Sequence, residues 1–405
     1  MKTKILFALL AICSAGIMLV SCSGEDENDI DSIDKQTILL FLPWSGSENS
    51  EGLYSAFLAN IDSIESAIIT QKGMSDSRLF VFLSESHSHS TLFEVTYSAR
   101  QCQHNVVKTY DGTPYTTSAG ITSILNDVKT AAPALNYAMI IGGHGCGWTY
   151  ANDWVAYPIR NKRHEMSMSQ GVQESQTTRF YGSLVDKNYA TEIETLAEGI
   201  EQTGIKLQYL LFDDCYMANV ETAYALRNAT NYLVASTSEV LSRGMPYQTM
   251  WNYLAKPVPN YSSALSAFSK FYENYTIACG AMSAIDCRKI EDVAKIMKQI
   301  NTSYTFAPSL VDSIQALDGF APTIFFDFGD YVERLCPDNR LQREATSAIK
   351  SLVKTSVHTD SLYSALFVPV YFKVEKFSGI TISDPSIHSV ALKGREKTSW
   401  YQATH

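Results

Sequence analysis

Tyr137-Ala138-Met139-Ile140-Ile141-Gly142-Gly143-His144-Gly145 is the stretch that decides the fold. An apolar run of strand length passes directly into a glycine-rich turn that carries an imidazole. The same grammar returns at residues 206–212 (KLQYLLF), which lead into Asp213-Asp214-Cys215. Working outward, residues 37–42 (TILLFL), 77–83 (SRLFVFL), 232–235 (YLVA) and 281–285 (AMSAI) read as further buried strands. Between them, residues 53–69, 121–130, 192–202 and 219–226 place apolar side chains at helical spacing. Strands alternating with helices predict an α/β fold with a mostly parallel sheet covered on both faces. No proline interrupts the proposed central strands. In such sheets ligands bind beyond the carboxyl ends of the strands. His144 and Cys215 both fall there, so they meet if their two strands are neighbours.

Beyond residue 289 the pattern weakens. Helices are expected near 291–300 and 341–354, and strands near 324–328 and 365–372. We read 37–288 as the main domain and 289–405 as a C-terminal extension packed on its sheet.

The N-terminus reads separately. Lys2 and Lys4 precede an apolar stretch from Ile5 to Val20, and Ser21-Cys22 follow. Residues 1–21 are a secretory signal, and its end is similar to a bacterial lipobox, which makes Cys22 the lipidated first residue of the mature chain. Several acyl chains on Cys22 would hold the protein stably at a membrane. Residues 22–36 carry Glu25, Asp26, Glu27, Asp29 and Asp31, a solvated tether similar to the export tags of surface lipoproteins. The expected location is the outer membrane, at the cell surface. The 405 residues carry a net charge of −10, near −12 without the two leader lysines. That balance argues against nucleic acid and suits a basic peptide partner. Of eight cysteines, six remain after the leader and the lipid site, a set that is not a disulfide scaffold.

A free cysteine is only slightly ionised at neutral pH and needs a base beside it to become a nucleophile. A histidine supplies that base and later protonates a leaving amine. Backbone N–H groups of Gly145 and Cys215 are the natural donors to an oxyanion.

Gly143-His144-Gly145-Cys146-Gly147-Trp148, Asp213-Asp214-Cys215-Tyr216-Met217 and Ser236-Thr237-Ser238-Glu239 with Gly244-Met245-Pro246-Tyr247 resemble the clostripain family of cysteine peptidases. Ser283-Ala284-Ile285-Asp286 and Phe325-Phe326-Asp327 resemble later family segments more loosely. The resemblance implies a caspase-like three-layer sandwich, His144 as base, Cys215 as nucleophile, and cleavage after basic residues, typically arginine. It makes Asp213 the reader of the P1 side chain. Strand geometry agrees, because residues two apart face the same way and Asp213 then shares the cleft with Cys215. A carboxylate that takes a guanidinium through both oxygens would favour arginine over lysine. The resemblance also suggests self-cleavage in the polar 149–182 segment, near Arg160, Lys162 and Arg163, and leaves a calcium requirement open; no other cofactor is expected.

Other readings were weighed. His87-x-His89 sits in serine-rich company and reads as a solvated loop, not a zinc site. No G-x-S-x-G elbow accompanies Gly-Gly-His-Gly, which excludes an α/β-hydrolase. Cys146 reads as a small packing residue and Glu239 as structural or cleft-lining. A catalytically silent, peptide-binding lipoprotein on the same scaffold is the alternative function.

Overall fold

A computed structural model describes residues 34–154, 181–364 and 370–405. They belong to one unit, Asp34–His405, whereas the unit Met1–Ile33 lies outside the described residues. The signal segment, Cys22 and most of the tether therefore lie outside them, as do Arg160, Lys162 and Arg163.

Nine strands form one sheet in the order β12-β10-β9-β8-β5-β1-β2-β3-β4. They are β1 (Asp34–Leu42), β2 (Ser77–Ser86), β3 (His89–Ser98), β4 (Gln101–Asp111), β5 (Ala134–Gly142), β8 (Leu207–Asp213), β9 (Thr230–Ala235), β10 (Ala281–Asp286) and β12 (Val353–His358). Two short ribbons lie apart from it: β6 (Tyr181–Gly182) with β7 (Ala190–Thr191), and β11 (Phe326–Asp327) with β15 (Thr381–Ile382). A third pairs β13 (Ser361–Ser364) with β14 (Val370–Lys373). The five central strands, β9-β8-β5-β1-β2, run parallel. The β3–β4 hairpin and the β10–β12 pair extend the two edges antiparallel.

Central strands buried on both faces must be apolar along their whole length. Ile38, Leu39, Leu40, Phe41 and Leu42 accordingly show at most 2% exposure. Alternation then divides the core. Ile38, Leu40, Ala138, Ile140, Tyr209 and Leu211 pack on one face against helices α1 (Tyr54–Gln71), α5 (Tyr247–Leu254) and α6 (Tyr261–Glu273). Leu39, Phe41, Met139, Ile141, Leu210 and Phe212 face α2 (Ser118–Ala131), α3 (Ile193–Glu201) and α4 (Val220–Ala225). The same face takes α7 (Ile290–Ser303), α8 (Phe328–Leu335) and α9 (Asn339–Leu352). The expected three-layer α/β sandwich is the fold observed.

The sequence reading missed the β3–β4 hairpin and β12. Strand β4 is exposed along nearly its whole length, so no buried face imprints a period on it. His87 lies in the tight turn that opens this hairpin and His89 begins β3, where the reading expected a loop. Strand β12 starts at Val353, inside the expected 341–354 helix, and pairs with β10.

Candidate active site

The parallel β5–β8 ladder closes on the pair Gly142↔Asp213. His144 and Cys215 each lie two residues beyond that pair, on adjacent strand tips. Both continue the face of Ala138–Ile140 and Tyr209–Leu211, so residues 71 positions apart in sequence border one small cavity. Leu53, Phe57, Asn60, Leu241 and Gly244 complete much of its wall.

Three elements fix the two tips. His144 exchanges backbone hydrogen bonds with Gly182 of β6, its N–H donating at 3.3 Å and its carbonyl accepting at 3.1 Å. Gly145 packs on the nucleophile loop so closely that an added Cβ would stand 2.4 Å from the Cys215 carbonyl oxygen and 2.9 Å from its nitrogen. Tyr216 takes a positive φ of 60° to turn the chain from strand into helix α4, a conformation that costs a non-glycine residue about 1–2 kcal/mol. It is held there by its N–H donating to the Ser238 carbonyl at 3.0 Å and its hydroxyl donating to Glu239 Oε1 at 2.9 Å. Its ring stacks on Phe325 at 5.3 Å.

The thiol is enclosed. Cys215 is 4% exposed, accepts a hydrogen bond from the Val240 N–H at 3.2 Å, and donates toward the Val240 carbonyl at 3.5 Å. Burial, together with the Glu239 carboxylate, pushes its pKa well above the usual thiol range. Burial lowers His144 to about 4, although the residue as a whole is half-buried. At neutral pH the thiol and the imidazole therefore both rest neutral.

Asp213 faces the same side as Cys215, as the alternation predicted, and is 7% exposed. Its Oδ2 accepts from Asn60 Nδ2 at 3.2 Å, from the Met245 N–H at 3.2 Å and from the Tyr247 hydroxyl at 2.9 Å. Its Oδ1 is buried, with no hydrogen-bond partner among the described residues. Burial raises this carboxyl to about 6, against the pull of the Met245 and Tyr247 donors. Gly244 makes the arrangement possible: it has φ of 66°, and a Cβ there would stand 2.7 Å from Oδ2. Asp214 turns to the other face, with Oδ1 3.6 Å from where a Gly143 Cβ would sit. Burial, then the Asp213 charge, raises it well above the carboxylate range.

Cys146 and Trp148 are buried packing residues, and the Trp148 indole N–H donates to Ser383 Oγ at 2.9 Å. Glu239 also takes a hydrogen bond from the Ser364 hydroxyl. Cys102, Cys215, Cys287 and Cys336 are free thiols, and among the described residues no group of three or more His, Cys, Asp or Glu side chains is arranged to hold a metal ion. No helix among them is long and apolar enough to cross a membrane. Sequence reading missed Asn60 and Val240, and it quoted Tyr247 without giving it a role. Asn60 left a signal, being a polar residue on the apolar stripe of Phe57, Ile61 and Ile64.

The clostripain family model matches residues 60–371. A secreted C11 cysteine protease from Bacteroides thetaiotaomicron, iotapain, is 41% identical with a TM-score of 0.81, over 92% of this chain and 99% of its own. A clostripain from the same species, solved with the peptide inhibitor BTN-VLTK-AOMK, is 48% identical with a TM-score of 0.53, over 55% of this chain and 97% of its own. An inactive zymogen C11 protease from Parabacteroides distasonis shares the fold at 20% identity, with a TM-score of 0.74 over 92% of this chain and 99% of its own. A comparison with curated proteins found no match.

Proposed function

The chain belongs to the clostripain family and is a cysteine peptidase, and from that premise we propose that it cleaves peptide bonds after a basic residue using Cys215 and His144. The observation that carries this reading is the β5–β8 register, which brings an imidazole, a thiol and a partnerless carboxylate oxygen to one cavity. His144 accepts the Cys215 proton as the sulfur attacks the P1 carbonyl carbon. The Gly145 and Cys215 N–H groups receive the oxyanion. The imidazolium then protonates the amine as the C–N bond breaks, and water, deprotonated by His144, releases the acyl group from sulfur. Before any of this, the thiol must leave its two hydrogen bonds with Val240.

Asp213 is the P1 contact in this reading, since burial of a carboxylate beside an empty cavity is best explained by a cation that enters. The peptide part of the inhibitor bound to the 48% identical relative ends in lysine, which supports a basic P1. The sequence expectation of arginine ahead of lysine drew on the family resemblance and on a guanidinium reaching both Asp213 oxygens; of these oxygens, Oδ2 already accepts three hydrogen bonds. A fluorogenic peptide panel varied only at P1 tests the proposal. Wild type should hydrolyse basic-P1 peptides, Cys215→Ala and His144→Ala should not, and equal turnover of neutral-P1 peptides would overturn it.

Two further parts of the proposal fall on residues outside those described. Self-cleavage near Arg160 to Arg163 predicts wild type running as two fragments beside an intact Cys215→Ala chain. Lipidation of Cys22 predicts a membrane-associated protein that becomes released on Cys22→Ser, and surface display predicts that proteases added to intact cells remove it. A calcium requirement is read from the same peptide assay with and without chelator.

A further inference from the structure

We propose that Asn60 and Tyr247 set the order of preference at P1, by occupying one oxygen of Asp213 so that the site selects lysine over arginine. This rests on the reading of Asp213 as the P1 contact and adds what decides between the two cations.

A carboxylate has about four acceptor positions, two on each oxygen. Asp213 Oδ2 receives three donors, from three separate pieces of structure: Asn60 from α1, the Met245 N–H from the turn after Gly244, and Tyr247 at the start of α5. Its capacity is filled and its orientation fixed. Oδ1 receives none and is buried.

The two cations place different demands on such a group. A guanidinium binds a carboxylate best through two parallel N–H···O bonds, one to each oxygen. With Oδ2 filled, that fork finds only half its partner. A guanidinium also carries five donors in a fixed plane, and much of the surrounding wall is apolar or glycine: Leu53, Ala56, Phe57, Gly142 and Gly244. Asp214 borders the same cavity but lies against Gly143 on the other face, so it does not replace the missing oxygen. An ammonium is a compact charge on a rotatable stem and is well served by one oxygen. Fewer of its donors are left without a partner in a tight, dry space, where each unmade hydrogen bond is costly.

The test compares kcat/KM for three peptides that differ only in lysine, arginine or norleucine at P1. The proteins are the full chain as wild type, Tyr247→Phe, Asn60→Ala and Asp213→Asn. Wild type should favour lysine over arginine by about fivefold or more, the effect of one net hydrogen bond. Tyr247→Phe keeps the ring and frees a position on Oδ2, so the lysine-to-arginine ratio should fall by about fivefold, and Asn60→Ala should move it the same way. Both peptides meet the same preparation, so a partly misfolded variant changes both rates and leaves their ratio intact. Wild type preferring arginine, or a ratio unmoved in both variants while Asp213→Asn abolishes the preference for basic over norleucine, overturns this inference alone. Asp213→Asn leaving that preference unchanged overturns the reading of Asp213 beneath it.

Discussion

Asp213 should be a residue that function needs and folding resists. Its carboxyl sits at about 6 instead of the ordinary 3.8, because burial disfavours the charge more than the Met245 and Tyr247 donors favour it. A raised folded pKa means that the folded chain binds this proton more tightly than the unfolded chain. The contribution is favourable below pH 4 and is lost as the pH rises toward 6. That loss, complete above 6, is the cost of ionising the side chain in the fold, about 3 kcal/mol in all, at about 1.36 kcal/mol per pH unit between the two values. Asp213→Asn removes that cost while keeping its amide oxygen where Oδ2 accepts its three donors, with the amide nitrogen at the partnerless Oδ1 position. Neutral hydrogen bonds are weaker than charge-assisted ones, which returns part of the gain. The expected result is a variant more stable than its parent at pH 7.5 by about 1–3 kcal/mol, with the difference shrinking toward zero near pH 4. Urea unfolding in a Cys215→Ala background, which prevents self-digestion, measures it at both pH values. A variant less stable than its parent at pH 7.5, or a difference independent of pH, would refute the reasoning.

Gly145→Ala should lower kcat/KM by about a hundredfold, the usual result of moving reacting groups by an ångström, because the new Cβ would stand 2.4 Å from the Cys215 carbonyl oxygen. A near-normal rate with the folded structure retained would contradict this. Gly147→Ala should destabilise the chain by about 2–4 kcal/mol without special regard to substrate, since φ is 59° and the Cβ would meet Phe325 at 2.7 Å. An unchanged thermal midpoint would count against it. Glu239→Gln should make Cys215 react faster with iodoacetamide at a fixed pH above neutrality, because the Glu239 charge is one of the groups holding the thiol protonated. A slower reaction would show that the carboxylate acts on the thiol in another way.

Much of this site was legible because backbone periodicity carries it. The run 137–141 into Gly142-Gly143-His144 and the run 206–212 into Asp213-Asp214-Cys215 set both strand tips, and alternation placed Asp213 with Cys215 and turned Asp214 away. What the sequence could not display is how hydrogen-bond capacity is spent. Whether both oxygens of Asp213 are open depends on Asn60, 153 positions earlier, and on Tyr247, 34 positions later. Neither pairing leaves a local pattern. Val240 was illegible for a related reason: it holds the Cys215 sulfur through its main chain, and any residue type but proline supplies an N–H. Strand β4 escaped because an edge strand facing solvent on both sides has no apolar alternation to read.

The closed site has a consequence for how substrate charge and nucleophile are linked. Asp213, Asp214 and Cys215 all have pKa values pushed upward, and burial is the first cause for each. Among the described residues that line their cavity there is no lysine or arginine. Burial without a counter-ion raises the pKa of an acid, so the thiol rests in its unreactive form while Asp213, at about 6, is largely ionised at neutral pH. In the proposed reading a basic P1 side chain would supply a positive charge to that lining. By linkage, a cation that binds the ionised form of Asp213 lowers the pKa of that carboxyl. The same positive charge, brought near Cys215, opposes the effect of Glu239 and Asp214 on the sulfur. Recognition of the P1 side chain and ionisation of the thiol then draw on one electrostatic change, so a peptidase read this way stays inert toward the peptides it does not fit.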